Sequence, residues 1–205
     1  MHFLSGMKTL IIFALSSLLI GFGAHGQGLC AQVFNVSSAK FDSIPRLNLK
    51  QQFVGEENGV FIETSSGMFG RGQRAQRIFM KTRYLTTEEL KMTAATVGPS
   101  GKLISRFENS LDFIFIVNTT GEMHVYPLSS NQSGFTRLKH SSLAQGQPVL
   151  MAGEISLNRD GTIFSVSNKS GHYQPSSSHL NMFLKSYFSP EILARIKVVD
   201  ESRRF

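Results

Sequence analysis

The 205-residue chain has no tryptophan and a single cysteine, Cys30. One cysteine excludes an internal disulfide, so the fold must hold through its core alone, and a chain of this length is long enough to build one. The lone cysteine and the scattered His124, His140, His172 and His179 offer no ligand spacing for zinc, and no metal site is expected. Acidic residues are scarce too, 14 against 21 Lys and Arg, giving a net charge of +7. That sign favours anionic partners such as phosphates, anionic lipid or nucleic acid. With no tryptophan, and no aromatic residues interleaved among the basic ones, the chain carries no specific nucleic-acid motif. No Gly-x-Ser-x-Gly occurs, which excludes a serine-hydrolase elbow. Gly67, Gly70 and Gly72 do not reproduce a phosphate-loop spacing, and no Gly-Lys-Ser/Thr follows them.

A membrane-spanning run is missing as well. After Lys8, the stretch Thr9 to Gly23 is apolar, but it is shorter than the roughly 20 residues that cross a bilayer and is interrupted by Ser16 and Ser17. A charged start, a short apolar run and a small-residue end have the order of a secretory signal peptide. The expected division is a signal peptide over 1–26, with 31 as the alternative end, and no transmembrane anchor in the mature chain. Removing it takes away Lys8 alone and leaves a net charge of 7 − 1 = +6. The expected location is secreted or periplasmic. Residues 27–82 read as an N-terminal extension with a basic, Gly-rich loop over 65–74, and 83–205 as the folded module.

Within the extension, Gly55-Glu-Glu-Asn-Gly59 reads as a turn and Val60–Thr64 as a strand. Thr86 and Glu89 have the spacing of a capping box, which predicts a short helix from Thr87 to Ala95 and accounts for Glu88-Glu89 without a pair of glycosidase carboxylates. Three turn clusters follow, Gly98–Gly101, Asn118–Gly121 and Asn158–Gly161, each between strand-forming residues. The predicted strands are Leu111–Val117, Glu122–Tyr126, Val149–Leu157 and Thr162–Ser167. The first is almost wholly apolar and should be central and buried on both faces; the last alternates Ile163, Ser165 and Ser167 against Phe164 and Val166 and should have one wetter face. After Pro175, the residues Leu180, Phe183, Leu184 and Tyr187 fall on one helical stripe suited to docking on the sheet. Ser189-Pro190 ends that helix, a further helical turn can run to Arg195, and Ile196–Val199 can add a last strand. The fold class is therefore α+β: a mainly antiparallel β-sheet built from hairpins, with a short helix before it and an amphipathic helix packed on it after Pro175.

Chemically capable side chains concentrate between 139 and 175, in Lys139-His-Ser-Ser-Leu143, Ala152-Gly-Glu154, Ser167-Asn168 and Ser170-Gly-His-Tyr-Gln-Pro175. A histidine near neutrality moves protons, and a strand-borne carboxylate can orient it. His140, Glu154 and His172 are thus the candidate acid–base set. Ser141, Ser142, Asn168, Ser170 and Tyr173 are the candidate ligand contacts. The same residues also have structural readings, as a tight turn at Ser170-Gly171, a packing anchor at Tyr173 and a salt-bridged strand residue at Glu154.

This order of elements resembles a C-terminal module of bacterial polymorphic-toxin and effector proteins, with a related block in plant calmodulin-binding proteins that carry an IQ motif. The likeness covers about residues 83 to 188, and its specific part is the Ser-Gly-His-Tyr-x-Pro turn; no IQ helix is present in this chain. The resemblance implies an exported effector-like domain. One expectation is an enzyme acting on a nucleotide or other phosphate-bearing ligand, for example by ADP-ribosyl transfer, through the His-Ser-Ser, Glu and Ser-Gly-His-Tyr elements. The other is a non-catalytic secreted binding module that recognises a target protein or an anionic surface. No cofactor is assigned.

Overall fold

The near-continuous apolar run at Phe113–Val117 sets the architecture. In the computed structural model, which describes residues 41–65, 75–129 and 138–204, this run lies in the middle of a seven-stranded sheet and is buried throughout. Strands β1 (Val60–Ser65) and β2 (Ala75–Met80) form a separate antiparallel ribbon. The main sheet comprises β3 (Ala94–Val97), β4 (Leu103–Ile104), β5 (Asp112–Asn118), β6 (Met123–Pro127), β7 (Val149–Leu157), β8 (Ile163–Ser167) and β9 (Lys197–Val199). Their spatial order is β4-β3-β6-β5-β7-β8-β9. Every pairing is antiparallel except β8 with β9, which run parallel. A parallel pair needs a crossover, and helices α3 (Ser177–Tyr187) and α4 (Pro190–Leu193) lie in that connection.

All three expected turns close. The amide of Gly101 donates to Gly98, that of Gly121 to Asn118 and that of Gly161 to Asn158, and each of these glycines has positive φ. The α+β expectation holds, with an antiparallel sheet built from hairpins and an amphipathic helix behind Pro175.

Alternation along β5 sends side chains to two cores. Phe113, Phe115 and Val117 meet Leu180, Phe183 and Leu184 of α3 on one face. Ile114 and Ile116 join Leu85, Leu143, Ala144 and Tyr173 on the other. Leu143 and Ala144 belong to α2 (His140–Ala144), a buried helical turn that the sequence pattern did not reveal. It is only five residues long, too short for a helical period to show.

Two expectations change in detail. The capping box forms, with the Glu89 amide donating to the Thr86 hydroxyl and the Thr86 amide to the Glu89 carboxylate. The helix it starts, α1 (Thr87–Lys91), ends four residues before Ala95, because Ala94 and Ala95 pair with His124 and Met123 of β6 as a strand. Cross-strand bonding here overrides the helix preference of alanine. In β8 the alternation breaks: Ile163 and Val166 are both buried in one core and Phe164 is exposed. The pairing runs Ser156 with Ser165, then Leu157 with Ile163, so Phe164 is the extra residue of a β-bulge that shifts the strand's phase.

The signal-peptide expectation, with Cys30, lies outside the described residues, as do residues 66–74 of the basic loop. Among the described residues, no helix is long and apolar enough to cross a membrane.

Candidate functional site

The Ser170–Pro175 turn joins β8 to α3. It is closed by the Gln174 amide donating to the Ser170 carbonyl at 2.8 Å, and Gln174 has φ +46°. This folding turns His172 and Tyr173 inward. Tyr173 is buried and its hydroxyl donates to the Gln147 carbonyl at 2.7 Å. Burial first, then the neighbouring Tyr84 and Glu56, push its phenol far above the usual tyrosine range.

His172 meets a residue that the sequence did not single out. Its Nε2 lies 3.0 Å from Oε2 of Glu56, a carboxylate with 0% exposure. Glu56 sits in the Gly55–Gly59 turn, and its backbone carbonyl takes the Thr82 amide at 2.9 Å. The Thr82 hydroxyl donates to the same Oε2 at 2.7 Å. Phe53 stacks on the His172 ring with centroids 4.1 Å apart, and the Lys50 amide donates to the His172 carbonyl. Burial alone would raise the Glu56 pKa. The hydrogen bond from His172, the Ser141 hydroxyl, the charge of His172 and the Thr82 hydroxyl outweigh it, and the carboxyl is held below its ordinary value. The Ser141 hydroxyl is close enough to act on this carboxylate electrostatically, yet neither Ser141 Oγ nor Glu56 Oε1 has a partner within hydrogen-bond geometry.

The other predicted residues distribute as follows. His140 is buried in α2, and its Nε2 donates to the Gly153 carbonyl at 2.8 Å. The Ser142 hydroxyl accepts from the Lys139 amide and the Ser170 hydroxyl from the Tyr173 amide. Glu154 projects from β7 and pairs with Lys169 at 3.0 Å. Asn168 is fully buried; it donates to Pro175 and Asp200 and accepts from the Glu201 amide at 2.6 Å, tying the chain after β9 to the end of β8. Its place is thus at the C-terminal seam.

His140, Glu154 and His172 nevertheless share one open concavity of about 280 Å³, which Lys139, Lys169, Gly171, Ile114 and Leu138 also line. No hydrogen bond joins these three candidates to one another. The Ser141, Ser142 and Ser170 hydroxyls and Tyr173 are withdrawn into the interior. Among the described residues, no three His, Cys, Asp or Glu side chains come together as a metal site.

Sequence reasoning missed Glu56, Thr82 and Phe53. Glu56 is 116 positions from His172, and nothing in Gly-Glu-Glu-Asn-Gly separates the buried Glu56 from Glu57. A charged residue between two turn glycines reads as solvated surface.

Comparison with known proteins places the motif block in a different setting from the one expected. Residues 85–180 match the family described as the IQ motif-containing protein middle domain. No curated protein and no solved structure matches the chain. The resemblance to a bacterial polymorphic-toxin and effector module is thereby corrected. The span that holds the His-Ser-Ser, Ala-Gly-Glu and Ser-Gly-His-Tyr-x-Pro elements is similar to the IQ-motif middle domain, which the sequence reading had treated only as a related block. Within those elements His140, Ser142, Ser170 and Tyr173 hydrogen-bond to backbone groups of the fold.

Proposed function

We propose that the chain is a non-catalytic binding module whose concavity receives an anionic, phosphate-bearing group. The observation that carries this reading is the lining: Lys139, His140, Lys169 and His172 border one hollow, and among the described residues Glu154, paired with Lys169, is its one acid. Cationic and hydrogen-bond-donating side chains around a hollow are what a phosphate needs. Catalysis has weaker support, because the serine hydroxyls that could act as nucleophiles are buried and Glu154 is engaged by Lys169. One feature does favour an enzyme as the second reading. A buried carboxylate holding an imidazole is an arrangement that can move a proton, and nucleotide turnover would then depend on His172.

Inorganic phosphate and ADP should each raise the melting temperature of the protein in proportion to the logarithm of ligand concentration. Lys169→Gln combined with Lys139→Gln should weaken binding about 10-fold or more, the loss of two charge-assisted contacts. No thermal shift, or a shift that the double variant leaves intact, rules the concavity out. Conversion of ADP by the wild type, lost in His172→Asn, would replace the binding reading with the enzymatic one.

Export is the accompanying proposal and rests on the order of charge, apolar run and small residues over 1–26. N-terminal sequencing of the protein from its native source should begin at Gln27 or Gln32. A chain that still starts at Met1 or Met7 would overturn it.

A further inference from the structure

The β1–β2 ribbon stands apart from the seven-stranded sheet. Its register sets Phe61 directly opposite Phe79. The two phenylalanine rings meet edge to face with centroids 5.1 Å apart, and they remain 58% and 54% exposed. A two-stranded ribbon is marginal in water by itself, and one that keeps an aromatic pair in solvent is suited to apolar surroundings.

The charge of the same stretch points to one kind of surroundings. Over residues 60–83 the sequence carries Arg71, Arg74, Arg77, Lys81 and Arg83 against Glu63 alone, 5 − 1 = +4. Lys81, at the foot of the ribbon, is exposed, while Arg83 is engaged by both carboxylate oxygens of Glu89. Stacking of bases would need aromatic faces spaced along a groove, whereas these two rings pack on each other. A bilayer makes no such demand. It accepts apolar rings at headgroup depth and draws in cations through its anionic lipids. We propose that the β1–β2 ribbon docks on an anionic lipid surface, with Phe61 and Phe79 entering the boundary between headgroups and acyl chains.

The absence of native tryptophan supplies the test. Phe79→Trp places a single indole on the ribbon of the full chain, and its fluorescence reports that position alone, whatever the N-terminal apolar stretch does. Vesicles of phosphatidylcholine containing phosphatidylserine and brominated acyl chains should quench this tryptophan, and quenching should fall with added salt. Vesicles without phosphatidylserine should quench it several-fold less. Adding Phe61→Ser should shift the lipid concentration for half-quenching upward about 10-fold, with an unchanged melting temperature because the ribbon is no part of the main sheet. A tryptophan left unquenched by serine-containing vesicles overturns the proposal, as does equal quenching by both vesicle types. Should Phe79→Trp lower the melting temperature, Phe61→Trp repeats the test from the facing strand with the same two outcomes.

Discussion

Glu56→Ala is expected to lower stability by about 3–5 kcal/mol, because two buried hydrogen-bonding groups lose their partner together, each at about 1–3 kcal/mol. The variant leaves His172 Nε2 and the Thr82 hydroxyl, both directed at the lost carboxylate, facing a dry hole. For a chain of this size the melting temperature should fall by ~10 °C or more. Combined with His172→Ala, the loss should be well short of the sum of the two single losses, because each single variant strands the other group. Full additivity would mean that the two residues do not act as a pair.

The same carboxylate makes stability depend on pH in a definite direction. Its folded pKa lies below the ordinary 4.5. Between the two values the unfolded chain takes up a proton that the folded chain refuses. The contribution is therefore complete above about pH 4.5 and disappears as pH falls through the folded value. Denaturant titrations from pH 6 downward should show a steeper loss for the wild type than for Glu56→Gln, which has nothing to protonate. Parallel curves would place the ionisation elsewhere.

Gly153→Ala carries the second large effect. A Cβ built at Gly153 falls 1.9 Å from the carbonyl oxygen of Ser167, which belongs to backbone and cannot swing aside as a side chain can. The next nearest side-chain neighbour is the ring of Phe115, at 3.0 Å. Relief would require β7 and β8 to separate, and the Gly153 carbonyl would carry the His140 contact with it. A loss of about 3 kcal/mol or more follows, at or above the upper end of what overpacking costs. The readout is the midpoint of chemical unfolding, together with a changed chemical shift for the His140 ring. A variant as stable as the wild type would show that the two strands have slack at this point.

The sheet was legible because its signals are local. The Asn118–Gly121 and Asn158–Gly161 clusters have one conformational use, and the apolar run of β5 has one place to go. The helical stripe at Leu180, Phe183, Leu184 and Tyr187 needs nothing beyond its own spacing. Legibility ended where a long-range partner decides the outcome. Ala94 and Ala95 are a strand because of β6, Phe164 faces water because it is the extra residue of a bulge opposite β7, and Glu56 is buried because a histidine far along the chain receives it. The candidate site shows the same division. The motif residues stand out in the sequence, but their hydrogen bonds, chiefly to backbone, emerge only from the folded chain.

The span of family likeness and the unit of folding do not coincide. The likeness begins at Leu85 and ends at Leu180, inside α3. It leaves out the far half of that helix, the strand that extends the sheet beyond β8, and the Gly55–Gly59 turn that delivers a carboxylate to His172. A fragment cut at those borders would keep the recognisable letters and lose their anchorage: Phe183 and Leu184 would be missing from one core, and the imidazole would have water in place of its carboxylate partner. For this protein a boundary drawn by resemblance is a poor guide to where the chain can be divided, and the Gly55–Gly59 turn, which precedes Leu85, is part of the domain's structure.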